Sequence, residues 1–249
     1  MLGKGVFSIL YRVLLKLLAS KNNVVFVVPT PAHIQGSSLN TFNVKPIVLP
    51  FIFSDSASNP DTQSIISESY DSSVTRFLFV GRHVPYKGID IAIRAFMSLP
   101  KNLPAQFNIV GSGPLTHDLK KLANSDSRIH FLGSISDSEL SHYYSLSNVF
   151  VLSSTTKAEA FGLVQVEAML HHCMCISSYL GNGVNFVNKE GVSGFSFKVN
   201  DHKSLADLMI KACSDKCERN KLMSSAREYA LSSFASNNLR HAYFQLYSN

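Results

Sequence analysis

The stretch Arg76-Phe-Leu-Phe-Val80, followed by Gly81-Arg-His-Val-Pro-Tyr-Lys-Gly88, decides the fold. A short apolar run bounded by turn residues reads as a strand buried on both faces. The turn opens on glycine, carries Arg82 and Lys87, and leads into a helix predicted over 89–98. The unit then repeats. Gln106-Phe-Asn-Ile-Val110 is a strand, Gly111-Ser-Gly-Pro114 a turn, and 115–124 a helix with Pro114 near its first turn. Arg128-Ile-His-Phe-Leu132 is a third strand, and Ser136 three residues before Glu139 forms a capping box that opens a helix through 147. Val149–Leu152, a helix over about 162–172, Met174–Ser177 and Gly194–Lys198 continue the series. Strands and helices alternating at these lengths give an α/β fold, a parallel sheet with helices on both faces. Such sheets bind ligands at the carboxyl ends of their strands, so the turns after Val80, Val110, Leu132 and Leu152 are where chemistry is expected.

Outward from this core, Ser54–Ser73 holds eight serines in twenty residues and reads as a linker. It divides the chain into an N-terminal part, residues 1–53, the linker, 54–73, and the repeating part, 74–249. The N-terminal part has strand candidates at Asn23–Val28 and Lys45–Pro50. Before them, Val6, Leu10, Val13, Leu14 and Leu17 recur at helical spacing among Lys4, Arg12 and Lys16. Two readings stand for this basic amphipathic helix: packing on its own domain, or lying on an anionic membrane surface. Arg12 and Lys16 interrupt the apolar run, which is also too short to span a bilayer or act as an export signal.

With 249 residues, 45% of them hydrophobic, the chain can bury a large core. The net charge of +6 favours an anionic partner, either a phosphate-bearing small molecule or a membrane surface, and is too dilute for a nucleic-acid-binding protein. Residues 1–60 carry five cations against Asp55 alone. Four cysteines are too few for a disulfide scaffold and point to a reducing compartment, the cytoplasm.

Three segments could carry chemistry. Arg82 and Lys87 sit near the end of the first strand, where a guanidinium fork and a compact ammonium suit a diphosphate. Gly111-Ser-Gly-Pro114 lacks the full dinucleotide fingerprint and argues against an oxidoreductase. The richest segment runs from Ser153 through Glu159 to Leu163 and enters a helix whose first amides, from about Phe161 to Leu163, can hold an anion. Glu159 precedes that helix, where capping is the competing role, while Glu167 lies among apolar neighbours and needs a polar partner such as ribose hydroxyls or a cation. Cys173 and Cys175 alternate along a strand and read as buried thiols rather than zinc ligands, as do Cys213 and Cys217.

GRHVPYKG, GSGP, IHFLGSISDSEL and EAFGLVQVE, in that order, resemble the donor-binding domain of retaining GT-B glycosyltransferases of family four, over about residues 20–235. The resemblance implies a Rossmann-like domain preceded by a remnant of the acceptor-side domain. It implies a diphosphate site at Gly81, Arg82, Lys87, Phe161, Gly162 and Leu163, a ribose contact at Glu167, a base near Ile135, and a catalytic contact from Glu159 to the transferred hexose. It further implies a nucleotide diphosphate sugar as donor, a glycan or lipid-linked acceptor of surface polysaccharide such as lipopolysaccharide or O-antigen, and no metal or other cofactor. Gly181-Asn-Gly-Val-Asn185 departs from the Gly-Gly pair and following Glu of many relatives. Those relatives also have a longer N-terminal domain, so the resemblance implies either a truncated gene product or a second polypeptide that completes the cleft. The alternatives are a non-catalytic nucleotide-sugar-binding module and, from another class, a nucleotide-sugar epimerase.

Overall fold

The inner strands of the main sheet are runs whose side chains leave water on both sides, and the computed structural model shows how they assemble. It describes residues 3–21, 24–35, 39, 42, 44–53 and 73–248, so the stretch read as a linker lies outside the described residues apart from Ser73. The repeating part runs β3 (Thr75–Val80), α3 (Ile89–Met97), β4 (Ala105–Val110), α4 (Thr116–Ala123), β5 (Ile129–Gly133), α5 (Asp137–Leu146), β6 (Val149–Leu152), α6 (Leu163–Leu170), β7 (Met174–Ser178), α7 (Gly183–Val187), β8 (Gly194–Phe197), α8 (His202–Ser214), α9 (Lys216–Phe234) and α10 (Ser236–Ser248). The expected strands and helices of this part are all present, within one or two residues of their predicted ends.

All six strands are parallel, in the order β5-β4-β3-β6-β7-β8. Successive side chains face opposite sides of the sheet. Phe77, Phe79, Phe107 and Ile109 therefore pack beneath Ile93 and Phe96 of α3 and Met209 of α8. Leu78, Val80, Phe150 and Leu152 pack on the other side with Tyr144 of α5, Val166 of α6 and Phe234 of α9. The helix α5 opens with the capping box, as expected: Ser136 Oγ accepts from the Glu139 amide, and the Ser136 amide donates back to the Glu139 carboxylate. The chain runs outward from β3 through β4 to β5, then crosses back to place β6 on the other side of β3. This reversal makes the carboxyl ends of β3 and β6 the switch point where ligands collect in doubly wound sheets.

Among the described residues, the strands of the N-terminal part are shorter than its apolar runs suggested. It comprises α1 (Gly3–Ala19), β1 (Val27–Val28), α2 (Pro31–Gln35) and β2 (Ile47–Val48), with β1 and β2 pairing in parallel only over two residues. The packing of α1 bears on the two readings of that helix. Leu15 is the side chain it buries, against Val28 and Leu39, whereas Leu10, Val13, Leu14 and Leu17 are 53–69% exposed. Among the described residues, then, the predicted apolar stripe faces away from its own domain.

The end of the chain returns to this part. Phe53 donates its amide to Phe234 O, and Tyr243 of α10 donates its hydroxyl to Pro50 O at 3.0 Å.

Candidate active site

Gly81 follows strand β3, and the chain then forms a single 3-10 turn, Pro85–Lys87, closed by Gly88 in the left-handed conformation at φ +59°. A Cβ at Gly88 would lie 2.2 Å from Ser153 O, so glycine alone lets this turn press against the end of β6. Three hydrogen bonds fasten the two turns. The Thr155 amide donates to Tyr86 O at 2.7 Å, Ser153 Oγ donates to Lys87 O at 3.0 Å, and Thr155 Oγ1 donates to Tyr86 O.

This clamp brings Lys87 to Glu159, 72 residues away in sequence: Nζ lies 2.6 Å from Oε2, with both side chains about nine-tenths buried. Ser154 Oγ donates to the same carboxylate oxygen at 2.9 Å, and Asn182 Nδ2 donates to Glu159 O at 2.7 Å. Glu159 is thus held at side chain and backbone, and Oε1 has no donor among the described residues. Lys87 spends one of its three N–H donors on Glu159 and keeps two. Capping, the competing role for Glu159, is not what it does: Gly162 in the left-handed conformation is the N-cap of α6, with no side chain in the cap. The amides of Phe161, Gly162 and Leu163 have no acceptor among the described residues and stand at the positive end of that helix. The Phe161 ring itself is buried, edge-on to Phe51 at 5.1 Å and to Phe234.

Arg82, expected to act beside Lys87, is exposed and has no ion pair among the described residues. Its neighbour His83 is fully buried, with Nδ1 2.9 Å from Thr116 Oγ1 and Nε2 without a partner among the described residues, and burial lowers its pKa. The glycine-containing turn after β4 packs against this segment: the Gly81 amide donates to Val110 O and the His83 amide to Ser112 O. Ile135 sits half-buried at the carboxyl end of β5, packed on the α5–α6 side of the sheet. Glu167 finds its polar partner inside the protein, since the buried Tyr144 hydroxyl donates to Oε2 at 3.0 Å.

Ser154, Asn182 and Tyr144 were missed in the sequence because a lone serine, asparagine or tyrosine carries no spacing signal. Asn182 also caps α7 by accepting from the Val184 amide, and Asn185 Oδ1 accepts from the amides of Leu180 and Gly181. The two asparagines of the departing segment therefore shape the loop that supports Glu159. Cys173, Cys175 and Cys213 are buried as expected, and burial raises the Cys173 and Cys175 thiol pKa values; Cys217 is exposed, against expectation, because it lies on the outer face of α9.

A doubly wound sheet whose switch point joins a lysine, a carboxylate and a helix N-terminus is an arrangement that can receive an anion. The profile of the family described as "Glycosyl transferases group 1" matches residues 65–229, and the chain belongs to that family. It is 27% identical to O-antigen chain mannosyltransferase C of Escherichia coli over 225 residues, 89% of this chain and 60% of that protein. It is 34% identical to D-rhamnosyltransferase WbpZ of Pseudomonas aeruginosa over 120 residues, 47% of this chain and 30% of the relative. The chain thus spans less than two thirds of the length of either relative. In fold it is similar to Anabaena Alr3699/HepE, solved with UDP and glucose, with a TM-score of 0.75 at 19% identity over 90% of this chain and 63% of that one. The structure is accordingly the α/β arrangement of GT-B glycosyltransferases.

Proposed function

We propose that this chain carries the donor site of a retaining hexosyltransferase that moves a hexose from a nucleotide diphosphate sugar to a glycan or lipid-linked acceptor in surface-polysaccharide synthesis, without a metal. The observation that carries the reading is the Lys87–Glu159–Ser154 cluster beside the α6 N-terminus at the β3/β6 switch point. The E. coli and P. aeruginosa relatives support the acceptor class, and the UDP complex of the Anabaena protein supports a nucleotide donor. In this reading the two remaining N–H groups of Lys87, Arg82 and the amides of residues 161–163 receive the diphosphate. They stabilise the charge that develops as the bond from C1 of the hexose to the phosphate oxygen breaks. The free Oε1 of Glu159 accepts from a hexose hydroxyl. The acceptor oxygen bonds to C1 on the face the phosphate leaves, and its proton passes to that phosphate.

Thermal unfolding with UDP, GDP and ADP, each with and without EDTA, tests this reading. One nucleotide at a hundred times its Kd should contribute about 2.7 kcal/mol and raise Tm by about 5–10 °C. A shift that vanishes in EDTA would overturn metal independence, and no shift with any of the three would overturn the donor site.

The exposed face of α1 adds a location. Leu10, Val13, Leu14 and Leu17 point outward, Arg12 and Lys16 of the same helix are exposed, and residues 1–54 contain no acidic side chain. Apolar area flanked by cations matches an anionic lipid surface, here the cytoplasmic face of the membrane carrying the acceptor. Among the described residues no helix is long and apolar enough to cross a membrane. Cosedimentation with phosphatidylglycerol vesicles should fall about 30-fold or more for Arg12→Glu with Lys16→Glu, at about 1 kcal/mol per cation removed. Equal binding by the parent and this variant would reject the lipid assignment and leave the face to a protein partner.

A further inference from the structure

We infer that Tyr144 is a positioning residue for the nucleotide ribose, acting through Glu167. This rests on the reading of Glu167 as the ribose-binding carboxylate. Glu167 is half-buried in the second turn of α6, where a carboxylate left to itself would turn toward water or draw a counter-ion. No cation meets it among the described residues. Its side chain is instead pinned by the Tyr144 hydroxyl at 3.0 Å on Oε2. A carboxylate can only accept, so the phenol is the donor. Burial, followed by the charge of Glu167, holds the Tyr144 pKa well above its ordinary value, so the phenol keeps its proton throughout the working range.

Tyr144 is itself immobilised. Its ring is 2% exposed and stacks on the His171 imidazole at 5.4 Å and 23°. His171 Nδ1 lies 2.9 Å from Glu167 O, and since a carbonyl accepts, Nδ1 carries the proton; in the neutral ring Nε2 then accepts from Ser141 Oγ at 2.8 Å. Glu167 is thus gripped at its side chain from α5 and at its carbonyl through the imidazole that stacks on the same tyrosine. One lone pair of Oε2 is taken, and Oε1 has no donor among the described residues, leaving an oriented acceptor edge for a pair of vicinal hydroxyls. The arrangement has a second consequence. Helix α5 begins directly after Ile135, so the residue assigned to the base and the carboxylate assigned to the ribose are tied to one helix through Tyr144. Base and sugar recognition are set together.

The experiment compares a ribonucleoside diphosphate with its 2′,3′-dideoxy form by calorimetric titration, using whichever of UDP, GDP or ADP binds the parent chain. Tyr144→Phe removes one oxygen and keeps the buried ring on His171. We expect about a tenfold loss of affinity for the ribonucleotide, the size of one charge-assisted hydrogen bond weakened at second hand, and no change for the dideoxy form. In a Glu167→Ala background, Tyr144→Phe should cause no further loss. Equal losses on both ligands would make Tyr144 merely structural, and an unchanged ribonucleotide affinity would remove it from the site; either overturns the inference. The underlying reading fails differently, by a parent chain that binds both forms equally or binds no nucleotide at all.

Discussion

Replacing Lys87 by alanine should weaken nucleoside diphosphate binding by about 10- to 150-fold, the equivalent of roughly 1.5–3 kcal/mol for charge-assisted hydrogen bonds to a partly shielded phosphate. The loss has two sources. The ammonium offers two N–H groups beyond the one it gives Glu159, and it is the ion-pair partner of a carboxylate that is about nine-tenths buried. Removing Lys87 leaves that carboxylate with Ser154 as its remaining side-chain donor, so the variant should also lose about 1–3 kcal/mol of stability. Lys87→Ala combined with Glu159→Gln separates the two effects. The double variant should regain most of the stability, because no buried charge is left uncompensated, and none of the binding. Titration calorimetry reports the first quantity and thermal unfolding the second. Retained affinity in Lys87→Ala would move the diphosphate elsewhere on the protein.

Gly88→Ala should be strongly destabilising. The residue sits at φ +59°, which costs an L-residue about 1–2 kcal/mol, and its Cβ would stand 2.2 Å from Ser153 O, a backbone atom that cannot rotate away. Together these should exceed about 3 kcal/mol and lower Tm by roughly 6–12 °C in a chain of this size. The turn would also be forced off the end of β6, drawing Lys87 from Glu159, so the surviving folded fraction should bind nucleotide poorly. Gly181→Ala is the internal control. It has nearly the same φ, +62°, but a Cβ there meets nothing within 4 Å, so it should show the conformational cost alone. Equal Tm losses for the two variants would refute the clamp between the turns.

The strands and helices of the repeating part were legible because their signals are local. Residues 76–80 and 149–152 are short apolar runs that only a strand buried on both faces accommodates, and Ser136 with Glu139 is a cap complete within four residues. Their order along the chain, with glycine and cations in the first turn and Glu159 ahead of a helix, also located the end of the sheet where the site would form. The direction in which α1 points was not legible. Its periodicity marks an apolar stripe correctly, but periodicity is the same whether a stripe meets a core or faces out, and Leu15, off the stripe, is what the fold buries.

The partners within the site were beyond the sequence for a related reason. Lys87 and Glu159 are 72 residues apart, Tyr144 and Glu167 are 23 apart, and Asn182 is 23 from the carbonyl it holds. The Lys87–Glu159 pairing depends on β6 inserting beside β3 rather than extending the sheet past β5, a choice of crossover that no local pattern records. By itself, then, the sequence determined an α/β chain with its chemistry at the carboxyl ends of parallel strands, since burial, capping and turn formation act between near neighbours. Only the tertiary structure decided which cation meets which carboxylate and which tyrosine donates to Glu167, because those contacts follow from how the strands and helices pack.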